Sequence, residues 1–367
     1  MRAPAASTIL KFASFGAAVV VIALLPRFMG EFRLSQFTFV AIYFIALLGL
    51  NILTGYNGQI SLGHGAFMMI GAYVGAVLSL GTPGLEALLF EPPDWLPIGD
   101  GMRPIFTIPI AGLITGIVGV LFGIPALRLA GVSLALATFA VAVSLPQLAK
   151  WHRLEDLTGG GGGVVLNLPT TPFGWDISVR HWLYYQAWVT AGILFLVAWM
   201  LVKGRTGRAW RAIRDGEIAA TASGVSPATY KTMAFGVSSA FAGVAGALLA
   251  IEVSYVNPDT FPLSLSILLL ASVVVGGLGA LSGVIFGALL LEFLPIYAQD
   301  PPLIPVEFAK QSPTVIFGVI LILIMVLMPG GVAGLLRRLT RPFTSALAKR
   351  DNVTSPMPAV PARREET

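Results

Sequence analysis

The chain is a succession of apolar runs, each near the length a helix needs to cross a bilayer. They fall at roughly 9–25, 35–54, 64–80, 105–124, 129–149, 182–202 and 232–254, a pair crowded into 264–298, and 313–328, where a crossing needs about 20 residues. In hydrocarbon every backbone amide must be satisfied within the protein, so such runs are expected to form a helical bundle. Composition agrees: 56% of the 367 residues are hydrophobic and 11% charged, against roughly 25% charged in soluble domains. The reading is an all-α polytopic membrane protein with about ten transmembrane helices, some of them broken. The first run has Arg2 before it and Lys11 early in it, as a secretory leader would, but no small-residue cleavage site follows "LLPRFMG", so it is kept as a span.

Charge sets the orientation. The net charge of +5 sits in short stretches between apolar runs, which reads as a topology signal and not as a nucleic-acid surface. Lys203, Arg205, Arg208, Arg211, Arg214 and Lys231 fill the loop after the sixth run, and Arg337, Arg338, Arg341, Lys349 and Arg350 fill the tail. Both are expected in the cytoplasm, with both termini inside. The acidic loop 81–104 (Glu86, Glu91, Asp94, Asp100) and the loop 150–180 then lie outside, with Arg27 and Arg33 a weak exception. A transmembrane domain over 1–343 is expected, followed by a polar, disordered tail over 344–367. Ser226–Pro227 and Ser312–Pro313 have the N-cap then N1-proline order of a helix start.

Polarity placed where the bundle should be driest is the next constraint. "GYNGQISLGHG", residues 55–65, directly follows an apolar run. Irregular backbone at depth is tolerated only where protein or a water-filled cavity receives its amides. Gly55, Gly58 and Ser61 have the spacing G-x-x-G-x-x-S, which returns as Gly276, Gly279 and Ser282 in "GGLGALSG". Each copy separates two apolar runs, and 264–298 holds 35 residues, short of the roughly 40 of two full crossings. Broken helices in corresponding places of an internal repeat point to a transport route. Its candidates are Asn51, Gly55, Tyr56, Asn57, Gly58, Gln59, Ser61, Gly276, Gly279 and Ser282. His64 joins them as an ionisable residue in a span, although a neutral imidazole bonded to a neighbouring helix, or capping the restarting one, is its commoner fate. For Gly65, Gly71, Gly75 and the glycines of "FAGVAGA" close helix packing is preferred.

Other chemistry is missing. No lysine follows a glycine, so the phosphate-binding G-x-x-x-x-G-K-[ST] cannot occur. There is no cysteine, and His64, His152 and His181 are far apart, so no metal, cofactor or catalytic residue is expected. The spans hold few acids beyond Glu252 and Glu292, which removes the buried carboxylate relay of proton-driven carriers. Active transport would need an ATPase on another polypeptide. The loop over about 203–231 is where it could act: a short amphipathic helix is expected from about Arg208 to Ser223, with Trp210, Ile213 and Ala220 on its apolar side and Gly224 as its stop. Such a helix either transmits displacement from a motor or lies in the interface with snorkelling arginines, and the residues alone leave both open.

"NILTGYNGQISLGHGAFMMIGAYVGAVL" (51–78), "PALRLAGVSLALATFA" (125–140), "LTGGGGGV" (157–164), "GRAWRAIRDGEIAATASGVSPATYKTMAFGVSSAFAGVAGAL" (207–248) and "VVVGGLGALSGVIFGALLL" (273–291) resemble, in order, the permease of branched-chain amino acid ABC importers. The resemblance runs from about 35 to 340. It implies a type II-like ABC importer permease fold in a bacterial inner membrane, in contact with membrane lipid. It also implies a second, homologous permease as partner, two cytoplasmic ABC ATPases and a periplasmic solute-binding protein. Glu217, Ala219, Ala220 and Gly224 look like the signature that seats in the ATPase, with Arg211, Ile213 and Arg214 beside it. Gly55, Tyr56, Gly58, Gln59, Ser61, Leu62, Gly63 and His64 look like the family's first block. The chain departs from the pattern at Ala130, where a second basic residue is common, in lacking an acid after "TFA", and at Gly161 and Gly162, where a polar pair is usual.

The expected activity is movement of branched-chain or other small amino acids by alternating access, with no covalent chemistry in this chain. A sister permease for urea or short amides looks similar at these motifs. A self-contained channel or ion-coupled carrier would need no docking loop and would move solute alone.

Overall fold

A computed structural model of the chain describes residues 20–80, 102–129, 131–166, 177–299 and 330–335, with residues 16, 318, 319, 322, 323, 326 and 327 besides. The predicted runs at 9–25 and 313–328, the acidic loop, Ala130, Ser312–Pro313 and the tail fall wholly or mostly outside these residues. Within them the apolar runs become helices: α1 (Glu31–Leu50), α2 (His64–Leu80), α3 (Pro104–Ala126), α4 (Val132–Ala149), α5 (Val179–Lys203), α8 (Pro227–Val253), α9 (Leu263–Gly276) and α10 (Val284–Gln299). Between α5 and α8 lie α6 (Arg205–Asp215) and α7 (Glu217–Ala222). Among the described residues six stretches are long and apolar enough to cross a membrane, and His64–Leu80 and Leu281–Tyr297 are shorter apolar helices. The chain is thus a polytopic helical protein.

Helix α8 is the hub, packed against α3, α2 and α1. It is buried along most of its length, whereas α3, α4 and α5 each leave a broad apolar face uncovered, with Leu113, Leu121, Leu136 and Ile193 among the exposed residues. Lipid tails are as apolar as leucine, so close van der Waals approach has to hold such a bundle. Small residues provide it. Gly71 of α2 lies on the backbone of Gly243 of α8, and Gly246 on the carbonyl of Met68, so a methyl group at either would overlap main chain. On α3, Gly112, Gly116, Gly119 and Gly123 form a second stripe on α8, facing Val244, Ala240, Ser239 and Phe235. Gly75 meets Ala247 in the same way.

The helix ends sort into two faces. On one, Val164–Val165 (β1) pairs antiparallel with Tyr255–Val256 (β2), Lys150 meets Asp259 at 2.6 Å, and Arg180 meets the buried Glu252 at 3.0 Å. On the other lie α6, α7 and the start of α8, where Trp210 Nε1 donates to the Tyr230 carbonyl at 2.9 Å and Lys231 pairs with Glu217 at 2.7 Å.

One local expectation is corrected, and a second holds in position but not in its side-chain bond. The single amphipathic helix over 208–223 is two helices, because Gly216 takes an extended backbone (φ −179°) after closing the last turn of α6 on Ala212. Trp210, Ile213 and Ala220 are nevertheless buried, as their spacing predicts, together with Ala209. Ser226 occupies the N-cap position of α8 with Pro227 after it, but its hydroxyl makes no cap bond and accepts instead from Thr229 at 3.2 Å.

Candidate functional site

Both predicted interruptions exist, and they meet. Helix α1 does not stop at Leu50 but widens into a π-turn over Asn51–Tyr56, a geometry common at functional sites. The chain then runs irregularly to Gly63 before α2 starts at His64. The second interruption follows α9, where Gly277 and Gly279 take φ of 114° and 72°, values open to glycine at little strain, and a 3-10 turn over Leu281–Gly283 leads into α10. At about 1.5 Å per residue, the 14 residues of α9 and 16 of α10 are each shorter than the ~30 Å hydrocarbon core, and α9 reaches spanning length only together with the turn before it, Pro258–Gly276.

Unwinding frees main-chain groups that hydrocarbon cannot solvate, and nearby polar side chains take them up. Thr54 Oγ1 donates to the Gln59 carbonyl at 3.1 Å, and Asn57 Nδ2 donates to Gln59 Oε1 at 2.5 Å. The amide of Leu62 reaches Thr138 Oγ1 on α4 at 2.9 Å, and that of Gly63 reaches Ser61 Oγ at 3.3 Å. The amide of Gly65 reaches Ser266 Oγ on α9 at 3.0 Å. His64 Nε2 lies 2.8 Å from the Ala46 carbonyl of α1, so this buried ring ties the restarting helix to its predecessor.

The breaks are joined through Asn51, whose Oδ1 accepts from the Gly279 amide at 2.9 Å. Arg214 of α6 completes the junction, its Nη1 donating to the Gly55 carbonyl. Gly55 and Gly279 are adjacent across the junction, and Gly58 (φ +77°) lies against the Arg214 side chain. The two G-x-x-G-x-x-S segments, 221 residues apart by their first glycines (276 − 55), therefore share one site with a residue of the basic loop.

Of the route candidates, Asn51, Gly55, Tyr56, Asn57, Gln59, Ser61, His64 and Gly276 are buried, Gly279 is half-buried, and Gly58 and Ser282 are exposed. Two buried polar atoms here, Asn51 Nδ2 and Asn57 Oδ1, have no hydrogen-bond partner among the described residues. A cavity of about 100 Å³ lies nearby between α2, α3, α4 and α8. Its lining is apolar (Phe67, Phe122, Leu134, Val141, Phe235) except for Thr138, and none of the route candidates faces it. Sequence reasoning missed Thr138 and Ser266, because a single hydroxyl in a span gives no signal until the backbone amide it serves is known.

Of the loop candidates, Ile213 and Ala220 are buried, while Arg211, Arg214, Glu217, Ala219 and Gly224 are exposed. Gly224 has φ +81° just past α7, the left-handed stop expected of it. Helix α7 stands proud of the bundle, with Ile218 88% exposed at its tip. That residue was also missed. Its apolar side chain is out of phase with Trp210, Ile213 and Ala220 on one continuous helix, and only the break at Gly216 gives it a surface of its own. Among the described residues no cluster of acids and histidines could hold a metal ion.

On the opposite face, in the segment leading into β1, Gly161 and Gly162 present main-chain carbonyls to the residues of and after β2. These accept from Asn257 Nδ2 at 3.1 Å and from the Tyr255 hydroxyl at 2.8 Å.

The family profile described as "Branched-chain amino acid transport system / permease component" matches residues 33–329. The chain is 31% identical over 346 residues to the high-affinity branched-chain amino acid transport system permease protein LivM of Salmonella typhimurium strain LT2, covering 87% of this chain and 74% of that protein. It is 32% identical over 323 residues to LivM of Escherichia coli strain K12, covering 82% and 69%. A shorter likeness, 28% over 196 residues, covers 53% of this chain and 55% of the autoinducer 2 import system permease protein LsrC of Salmonella paratyphi B. No solved structure matches the chain. All of these relatives are transport permeases, and this chain is a transport subunit, not an enzyme. With the match running unbroken across both helix interruptions and the basic loop, the chain belongs to the family of permease components of branched-chain amino acid transport systems.

Proposed function

We propose that this chain is the membrane-spanning subunit of an ATP-binding cassette importer that moves branched-chain or other small amino acids by alternating access. The observation that carries the proposal is the physical link between a projecting loop and the two helix breaks. Helix α7 offers an apolar tip at Ile218 and an acid at Glu217, and α6 next to it bonds directly to the first break. A self-contained channel has no use for such a link, whereas a subunit driven from outside does. The loop's arginines favour the cytoplasmic side. Two ABC ATPases bind there, engaging Glu217, Ile218, Ala219 and Gly224, while Arg211, Ile213, Arg214 and Ala220 seat the loop on the bundle.

The solute passes beside the breaks, and Asn51 Nδ2 and Asn57 Oδ1 find partners in another state of the cycle. The fold extends over residues 1–343 with ten crossings, an internal repeat and both termini inside, in the bacterial inner membrane. A second, homologous permease completes the pathway, and a periplasmic binding protein delivers solute to the opposite face.

A sister permease for urea or short amides is the alternative, kept open by the departures at Gly161 and Gly162. The test is uptake by the assembled complex in liposomes across a panel of amino acids, urea and amides, with and without ATP. Accumulation of leucine, isoleucine or valine that needs both ATP and a binding protein is the expected result. Uphill accumulation by this chain alone would overturn the proposal.

A further inference from the structure

We infer that Arg214 is a positioning residue that carries displacement of the α6–α7 loop into the junction of the two helix breaks, so that both breaks move with the loop. This rests on the ATP-driven reading above and adds the path by which force reaches the interrupted helices.

The contact geometry is specific. Arg214 Nη1 donates to the Gly55 carbonyl. A Cβ placed on Gly279 would stand 3.3 Å from Nη1 and 3.3 Å from that same carbonyl oxygen. The guanidinium therefore lies where the first break meets the second. The stem of the side chain is held as closely: a Cβ on Gly58 would come within 2.8 Å of Arg214 Cγ and 3.4 Å of its Cβ. No side chain fits there, and φ of +77° at Gly58 selects glycine independently. The Arg214 side chain is 44% exposed, yet its Nη1 is engaged by a main-chain carbonyl, where a purely snorkelling arginine would give its guanidinium to water or to an acid. Asp215 stands beside it, yet at 3.7 Å that pair is the looser contact.

The lever has a fixed mounting. Trp210 is fully buried and bonded to the Tyr230 carbonyl at the start of α8, and Ile213 is buried one turn further on. Helix α6 thus moves with the base of α8, not as a flap. Asn51 bonds the second break to the first at 2.9 Å, so a push delivered at Gly55 is shared by Gly279. Interrupted helices held by a few hydrogen bonds yield before a packed helix does, which makes the junction the compliant end of the path.

The test needs no knowledge of the solute. The chain has no cysteine, so Ser282→Cys in the exposed part of the second break gives this subunit one thiol. In the full complex, its labelling rate by a membrane-impermeant maleimide is measured without nucleotide and after trapping with ATP and vanadate. The expected result is a rate that differs between the two states, a loss of that difference in Arg214→Gln with trapping intact, and its retention in Arg214→Lys. Persistence of the difference in Arg214→Gln, or its absence in the parent complex that still traps nucleotide, overturns the inference. Absence of trapping in the parent complex sinks the ATP-driven reading instead. If Arg214→Gln fails to assemble, Gly58→Ala displaces the same side chain from the other side and is read by the same two outcomes.

Discussion

Replacing Asn51 with leucine tests whether the two breaks are held together by one side chain. Leucine keeps the γ-branched shape of asparagine but is the larger side chain and cannot accept the Gly279 amide, which lies 2.9 Å from Asn51 Oδ1; at this fully buried position its extra bulk opposes the closed junction as well. A buried donor left without a partner loses about 1–3 kcal/mol. Against this, Asn51 Nδ2 already lacks a partner, and removing it recovers part of its own desolvation cost. The balance is about 2 kcal/mol against the closed junction, or about 30-fold in its open population if the junction opens locally. Two measurements separate local from global effects. Nucleotide-free labelling of Ser282→Cys should speed up by about that factor if opening is local, while the thermal midpoint of the purified complex falls only slightly. If the bond serves global stability alone, the midpoint falls and labelling of the folded complex stays constant. An Asn51→Leu complex with parental midpoint and parental labelling refutes the argument that this bond joins the breaks.

Three further outcomes are expected. Arg180→Met strands the buried Glu252 carboxylate, whose Oε1 keeps only the Ser35 hydroxyl at 2.6 Å; it should destabilise by about 3 kcal/mol, the low end for a half-exposed partner, and Arg180→Met with Glu252→Gln should recover most of the lost midpoint in thermal unfolding. Gly71→Ala places a methyl group on the Gly243 backbone and should lower the yield of folded complex in size-exclusion chromatography, whereas Gly192→Ala, with nothing within 4 Å, should gain up to about 1 kcal/mol from helix propensity. Ile218→Asp should leave the midpoint unchanged, because the side chain is 88% exposed, yet abolish co-purification with the ATPase subunits; retained co-purification removes Ile218 from the docking surface.

The bundle was legible because its signal is redundant: a span of about 20 apolar residues survives any single departure. The breaks were legible for a related reason, since glycine beside asparagine, glutamine and serine has no purpose in a lipid-facing helix. Their meeting was not legible. Nothing in "GYNGQIS" or "GGLGALS" states that Gly279 faces Asn51, because a hydrogen bond spanning 228 residues of sequence separation depends on how α1, α9 and α10 pack. His64 shows the same limit from the other side. Its type marked it as unusual in a span, but the Ala46 carbonyl that occupies it belongs to the preceding helix. The division of the loop into α6 and α7 turned on Gly216, a residue that a helical pattern tolerates until its neighbours pull the backbone straight.

Why a permease of this kind should interrupt two helices at one place follows from how the freed groups are satisfied. A single break in hydrocarbon must find partners for its amides and carbonyls, and the first break does so in part within its own segment, where Thr54 serves the Gln59 carbonyl and Ser61 the Gly63 amide. Thr138 and Ser266 of neighbouring helices serve the Leu62 and Gly65 amides, and across the junction the Gly279 amide takes Asn51 and the Gly55 carbonyl takes Arg214. Each interruption is therefore affordable only while the other, and the loop, stay in place. A displacement of the loop disturbs both at once, because the Gly279 amide and the Gly55 carbonyl lose partners that are linked through Asn51 and Arg214. Two discrete pairings of the same polar groups are what an alternating-access machine requires, and a junction whose bonds close on each other supplies the first of them.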